Sequence, residues 1–268
     1  MKVKKNIKDI VREKYGRIAS QSKQQNETSC CGSTGCCDEV DYTVFSDDYS
    51  NLKGYNSDAD LGLGCGLPTE FAKIKQGDTV LDLGSGAGND CFVARAIAGE
   101  QGKVIGIDFS DEMLEKANEN AQKLAYKNIE FIKGDIEDMP IISNSIDVIV
   151  SNCVLNLVLD KQKAFSEIYR VLKEDAHFSI SDVVLMGELP EKLKESAEMY
   201  AGCVSGAIQK NEYIQIIKDS GFRNIEIQKE KKIEIPDDIL LNFMSRIELQ
   251  EFKNSNIGVF SINVFASR

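Results

Sequence analysis

From residue 79 onward, short apolar runs alternate with stretches in which apolar side chains recur every three or four positions. Thr79-Val-Leu-Asp-Leu83, Lys103-Val-Ile-Gly-Ile107, Ile129–Ile132, Ile146–Val150 and Phe178–Ile180 have the length and apolar density of buried strands. Between them, three segments read as helices. The first is Asp90 to Ala98, and the third covers 161–172. The second is built on Met113, Leu114, Ala117, Ala121 and Leu124, with Ser110 or Asp111 as its cap. This alternation predicts an α/β fold with a doubly wound, mostly parallel sheet. Upstream, Ile7, Ile10, Val11, Tyr15 and Ile18 carry helical spacing across 7–19. Downstream, helices are expected near 191–201 and at 211–219, the second ended by Gly221. Strand-like runs at 223–234 and 257–266 are candidates for an antiparallel hairpin at the sheet edge.

Two segments break the pattern. Thr28-Ser-Cys-Cys-Gly-Ser-Thr-Gly-Cys-Cys37 is small and glycine-bearing, as expected of a mobile loop. Leu61-Gly-Leu-Gly-Cys-Gly-Leu-Pro68 has four glycines or prolines in eight residues, which demands irregular, tightly turning backbone. The chain therefore divides into three parts: an N-terminal helix with cysteine-bearing loops (1–68), a Rossmann-like core (69–185), and helices with terminal strands that complete the sheet (186–268).

Charge narrows the partners. Acidic residues outnumber basic ones 43 to 32, for a net charge of −11. Such a surface repels nucleic-acid backbones and anionic lipid, so neither nucleic acid nor membrane is an expected partner. The charged N-terminus lacks the apolar stretch of a signal peptide, and no run reaches transmembrane length. These features predict a cytoplasmic protein whose eight cysteines are mostly reduced and are candidates for metal or redox chemistry.

The turn Asp82-Leu-Gly-Ser-Gly-Ala-Gly-Asn-Asp90 lies where the first strand meets the first helix, the place where open α/β sheets bind nucleotides. Gly84, Gly86 and Gly88 allow tight turning and close approach of a ligand, with Ser85 between the first two. The dinucleotide pattern requires a later third glycine, and position 89 is Asn. The run instead resembles the G-x-G-x-G signature of class I S-adenosylmethionine methyltransferases. Asp108 ends the second strand 20 residues after Gly88, placed to accept hydrogen bonds from ribose hydroxyls, with Phe109 beside it. Gly134-Asp-Ile-Glu-Asp-Met-Pro140 resembles that family's adenine-holding segment. The resemblance implies that Asp135 accepts from the adenine amino group beside the Ile136 backbone. Asp82 is a candidate to balance the cofactor's positive charge, and Asn152 is counted among the cofactor residues.

The acceptor is read from cysteines. Ser151-Asn-Cys-Val-Leu-Asn156 follows the fourth strand, Gly202-Cys-Val-Ser-Gly-Ala207 lies downstream, and Gly64-Cys-Gly66 precedes the cofactor loop. In order and spacing, these segments look like those of arsenite methyltransferases, from about residue 7 to the end. The resemblance implies that Cys65, Cys153 and Cys203 bind trivalent arsenic, and that Cys30 or Cys31 joins them in redox steps. Thiolates suit this soft, thiophilic acceptor. Three sulfurs around arsenic leave its lone pair facing a fourth direction, and a nucleophile without a proton needs no general base. The single histidine, His177, is then expected to be structural at the start of the fifth strand. Cys91, inside the first helix, is expected to pack, and the Lys229–Lys232 run to lie on a solvated strand edge. Methyl transfer raises arsenic formally to the pentavalent state, so returning it to the trivalent state needs two electrons. A disulfide between Cys30 or Cys31 and Cys65, whose glycine-rich loop would let it swing, supplies them. Thioredoxin or glutathione would then restore the thiols. Two alternatives remain open: a methyltransferase for another small acceptor, and a metalloid-binding protein without turnover.

Overall fold

Residues 7–21, 47–189, 206–235 and 237–268 are described by the computed structural model. The expected helix near 191–201, the 28–37 loop with its four cysteines, and Cys203 lie outside them. Five strands run parallel: β1 (Thr79–Leu83), β2 (Lys103–Asp108), β3 (Ile129–Lys133), β4 (Ile146–Asn152) and β5 (Leu172–Met186). With β6 (Arg223–Lys232) and β7 (Gly258–Ser267) they form one sheet in the order β3-β2-β1-β4-β5-β7-β6. β7 is antiparallel to both neighbours. Helices α1 (Ile7–Ala19), α2 (Pro68–Phe71), α3 (Asn89–Ala98), α4 (Asp111–Lys123), α5 (Lys161–Val171) and α6 (Lys210–Asp219) accompany them, followed by α7 (Asp237–Leu240) and α8 (Arg246–Asn254).

The apolar runs read from the sequence supply the buried layer. Leu81, Leu83, Ile107, Ile149, Phe165 and Phe178 are all fully buried, each contributing about 1.5–3 kcal/mol of hydrophobic stabilisation. Phe165 of α5 packs edge-on against Tyr213 of α6 and against Phe222, joining both helices to the same face. Local chemistry sets the helix starts. Ser110 caps α4 by accepting from the Met113 amide, and Asp160 caps α5 by accepting from Lys163. At the C-terminus of α1, Lys116 Nζ donates to the carbonyls of Ala19 and Gln21, at 2.8 and 3.0 Å.

Three details depart from the sequence reading. β5 runs well beyond Phe178–Ile180, because β4 and β7 flank it and bury Val183 and Val184. His177 therefore lies inside β5 rather than at its start. Its Nε2 is 2.6 Å from the Ala72 carbonyl oxygen, its ring faces Phe265, and burial holds its pKa below the usual value. The terminal strands pair antiparallel at the edge as expected, but α7 and α8 separate them in place of a hairpin turn. Ser245 and Glu248 form a reciprocal capping box at the start of α8. On edge strand β6, Lys229 and Lys231 reach Asp47.

β1 is the hinge of the topology. The chain passes from β1 to β2 and β3 on one side and returns to β4 on the other. This reversal opens a crevice at the carboxyl ends of β1 and β4. Among the described residues, no helix is long and apolar enough to cross a membrane.

Candidate functional site: a cavity between a glycine loop and two thiols

After Leu83 the backbone turns through left-handed conformations at Gly84 and Gly86, with φ of 66° and 50°. The amides of Gly84 and Ser85 donate to the Ile107 carbonyl, and the Gly86 amide donates to Asp108 Oδ2 at 3.0 Å. The other Asp108 oxygen accepts from the Ser110 amide at 2.9 Å. One carboxylate thus fixes both the glycine loop and the start of α4. A Cβ on Gly84 would come within 2.5 Å of the Val154 side chain, so this glycine lets the loop sit against the turn after β4.

These elements border a cavity of about 360 Å³, within the size range of small-molecule sites. The expected cofactor residues Asp82, Gly84, Ser85, Gly86, Asp108 and Phe109 line it, as do Asp135, Ile136 and Asn152. Gly88 does not. It packs at the mouth of α3, where a Cβ would meet Phe131 and Phe92. Asp135 accepts the Glu137 amide at 3.0 Å, folding the turn that presents Ile136. From outside the sheet, Val11, Arg12 and Tyr15 of α1 and Tyr49, Asp60 and Leu63 of the following loop complete the wall. The Arg12 guanidinium lies 5.6 Å from the Phe109 ring centre.

The electrostatics favour a cationic, polar ligand. Burial, reinforced by Asp90, pushes the Asp82 carboxyl well above the usual range. Asp90 is pushed up to about 6 by burial, against the opposing hydrogen bonds of Tyr49 and Asn152. Burial also raises Asp108, against the Ser110 and Gly86 amides. Among the described residues none of the three has a basic partner. Ser85 Oγ and Asn89 Oδ1 are buried without hydrogen-bond partners in the same wall. A nucleoside bearing a cationic amino-acid arm meets these needs: positive charge beside Asp82 and Asp90, hydroxyls for Asp108, and polar atoms for Ser85 and Asn89.

At the thiol end of the site, Cys153 lines the cavity and Cys65 follows the lining residue Gly64. Cys153 leaves β4 with φ of 59°, a left-handed conformation costing a non-glycine residue about 1–2 kcal/mol. Its amide donates to the Ser181 carbonyl at 2.8 Å. Cys65 is brought to the same apolar cluster, alongside Val183, Leu189, Ile233 and Ile235. Its loop is irregular as expected, yet tied: the Cys65 amide donates to Asn152 Oδ1 at 2.9 Å, and Ser261 Oγ donates to the Cys65 carbonyl. The expected freedom of Cys65 to swing is therefore opposed by hydrogen bonds on both sides of its Cα. Cys91 is fully buried, and it does more than pack: its thiol donates to Asp82 Oδ2 at 3.3 Å. Of the expected arsenic ligands, the structure brings Cys65 and Cys153 together; Cys203, Cys30 and Cys31 lie outside the described residues.

Several site residues escaped the sequence reading. Tyr49 and Asp90 form a buried pair at 2.9 Å. Asp182, fully buried in β5, accepts from the Tyr213 hydroxyl at 2.9 Å and from the backbone amides of Val183 and Asn156. Asp90 stands directly after the glycine loop and was within reach of inspection. Tyr49, Asp182 and Ser261 carry no local signal.

Residues 74–221 match the family model of a methyltransferase domain. Over 237 residues the chain is 39% identical to an arsenite methyltransferase of Halobacterium salinarum, a match covering 82% of this chain and 58% of that protein. It is 31% identical over 246 residues to an arsenite methyltransferase of Aquipseudomonas alcaligenes, covering 87% of this chain and 66% of that protein. The chain thus spans less than two thirds of the length of these curated relatives. The fold superposes with a TM-score of 0.65 and 32% identity on the crystal structure of an arsenic(III) S-adenosylmethionine methyltransferase from Chlamydomonas reinhardtii, covering 76% of this chain and 67% of that one. The chain belongs to the class I S-adenosylmethionine methyltransferases, within them to the arsenite methyltransferase family.

Proposed function

We propose that the protein transfers methyl groups from S-adenosylmethionine to trivalent arsenic held by cysteine thiolates. The observation that carries this reading is the placement of Cys153: it lines the cofactor cavity in a left-handed conformation, with Cys65 in the same buried cluster. The bond from the Cys153 amide to the Ser181 carbonyl sustains that conformation.

S-adenosylmethionine, when bound, supplies an electrophilic methyl group on a sulfonium. The chain's residues do the rest. Asp82 and Asp90 place negative charge at the cationic end, Asp108 faces the ribose with its remaining lone pairs, and the Asp135–Ile136 turn faces the adenine. Cys65 and Cys153, joined by Cys203, each exchange a thiol for an arsenic-bound hydroxyl, releasing one water per bond formed. The resulting three-sulfur pyramid excludes competing oxygen ligands and leaves the arsenic lone pair free to face the cavity. Orientation rather than proton transfer supplies the acceleration, because the nucleophile has no proton to lose. Cys30 or Cys31 then takes part in the two-electron return to trivalent arsenic, and a thioredoxin- or glutathione-type reductant restores the thiols.

One assay tests the reading: purified protein with S-adenosylmethionine, arsenite and a thiol reductant, the arsenic species being separated and counted. Methylated arsenicals are expected. Tight arsenite binding without methylated product would identify a metalloid-binding protein. Cofactor binding with neither would point to a different small acceptor.

A further inference from the structure

Asn152 lines the cavity and is bonded both to its fellow lining residue Asp90 and to the Cys65 amide. Its Oδ1 accepts the Cys65 amide at 2.9 Å. Its Nδ2 lies 2.6 Å from the Tyr49 hydroxyl oxygen, 2.8 Å from the Gly66 carbonyl and 3.3 Å from Asp90 Oδ2. The Tyr49 hydroxyl in turn has the Asp90 carboxylate at 2.9 Å and the Gly66 carbonyl at 3.1 Å as competing acceptors. Gly64 makes room for this junction, since a Cβ there would fall 2.7 Å from Asn152 Nδ2. We propose that Asn152, Tyr49 and Asp90 are positioning residues that couple the cofactor end of the cavity to the Cys65 thiol, so that occupying one end tightens binding at the other.

The coupling follows from proton counting. The two Nδ2 hydrogens and the one hydroxyl hydrogen must serve the Asp90 carboxylate, the Gly66 carbonyl and the Tyr49 oxygen. An ionised, buried Asp90 without a basic partner among the described residues draws those hydrogens toward itself. A cationic ammonium group beside Asp90 supplies new donors. Tyr49 and Asn152 can then turn their hydrogens to the Gly66 carbonyl, one residue beyond Cys65, while Asn152 Oδ1 keeps the Cys65 amide, so the segment is held on both sides of the thiol. These are two discrete arrangements of one network, and each ligand favours the same one. Both ligands enter through the arsenite-methyltransferase reading, on which the proposal rests. By linkage, the effect must be equal in both directions.

Calorimetry tests it without turnover. Arsenite is titrated into the protein alone and into protein saturated with S-adenosylhomocysteine, and the reverse titration is run with arsenite present. In the parent protein each ligand should tighten the other by about fivefold or more, by the same factor in both directions. Tyr49→Phe keeps the ring and removes the switching hydrogen. Asn152→Asp keeps the acceptor for Cys65 and removes the donors. Each should bring the factor close to one, whatever its effect on either affinity alone, an outcome that simple loosening of the loop does not produce. Parent protein that binds arsenite equally with and without S-adenosylhomocysteine overturns the coupling and leaves the thiolate reading intact. Parent protein that binds no arsenite overturns the thiolate reading itself. An undiminished factor in folded Tyr49→Phe removes that hydroxyl, and with it the proposed route.

Discussion

The two ends of the cavity are built by different means. The sheet side of the cofactor end is assembled from residues close in sequence: the glycine loop, Asp90 immediately after it, and Asp108 at the end of the next strand, while α1 and Tyr49 close it from outside the sheet. Its main ties, from Gly86 and Ser110 to Asp108, span 22 and 2 positions. The thiol end is assembled from distant segments. Cys65 is held by Asn152 from 87 positions away and by Ser261 from 196. Cys153 hangs on Ser181, and the turn after it on Asp182, both in β5. A local motif can recur wherever a strand meets a helix, whereas the thiol end exists only once β4, β5 and β7 are paired. The difference separates an element defined by local chain geometry from one defined by the pairing of distant strands.

The largest expected effect tests whether the ends are separable. Cys153→Ser should lower methyl transfer to arsenite by about 100-fold or more, because a hydroxyl is a poor ligand for a soft centre. S-adenosylhomocysteine affinity should stay within about threefold, since Cys153 touches the cofactor end only through the shared wall. Equal loss of both in a folded variant would merge the two ends into one. In the opposite direction, Asp108→Ala removes a charge-assisted acceptor, a loss of about 1.5–3 kcal/mol that weakens S-adenosylhomocysteine roughly 10- to 150-fold. Because Asp108 also holds the Gly86 and Ser110 amides, the upper part of that range is expected, with arsenite binding alone unchanged.

A third prediction sharpens the comparison through pH. Burial pushes Asp182 up to about 6, against the Val183 amide and the Tyr213 hydroxyl. A raised carboxyl binds its proton more tightly in the native than in the unfolded state. Its stabilising contribution is therefore full below the unfolded value of 3.8 and is lost as pH rises through about 6. Urea denaturation at pH 4.5 and 7.5 should show Asp182→Asn escaping that loss, by about 2 kcal/mol. An unaltered pH slope would show that Asp182 does not titrate in the support of the thiol end. The smallest effect belongs to Cys91→Ser. The hydroxyl can still donate to Asp82, so methylation should persist and the free energy of unfolding should change by no more than about 1 kcal/mol.

What was legible in the sequence follows the same division. Strands β1 to β4 and helices α3 to α6 announced themselves by periodicity and caps, because their burial pattern is set within each segment. The length of β5 did not, since its second half owes its extended form to pairing with β7. Helix α8 was missed even though Ser245 and Glu248 form a recognisable capping box, because the flanking strand-like runs suggested a direct hairpin. Cys91 illustrates the limit for side chains. Its helical position announced burial, but its bond to Asp82 crosses the corner between β1 and α3, a relation only the folded chain defines. Tyr49 reaches Asp90 across 41 positions and Ser261 reaches Cys65 across 196, and no spacing rule reaches that far.

For the proposed thiolate set, the tied backbone of Cys65 bears on how steeply a thiophilic ligand is retained. A cysteine on a slack segment explores a large volume, and each additional sulfur bond then requires immobilising a length of chain. At Cys65 the amide and the carbonyl are already committed to Asn152 and Ser261, so that much of that ordering is in place before any ligand arrives. Once one sulfur is bonded, the next meets the ligand as an intramolecular neighbour, at an effective concentration that two free thiols in solution do not reach. Retention then depends on breaking several bonds at nearly the same moment, and a single exchanging thiol in the surroundings competes at a disadvantage against the pinned set.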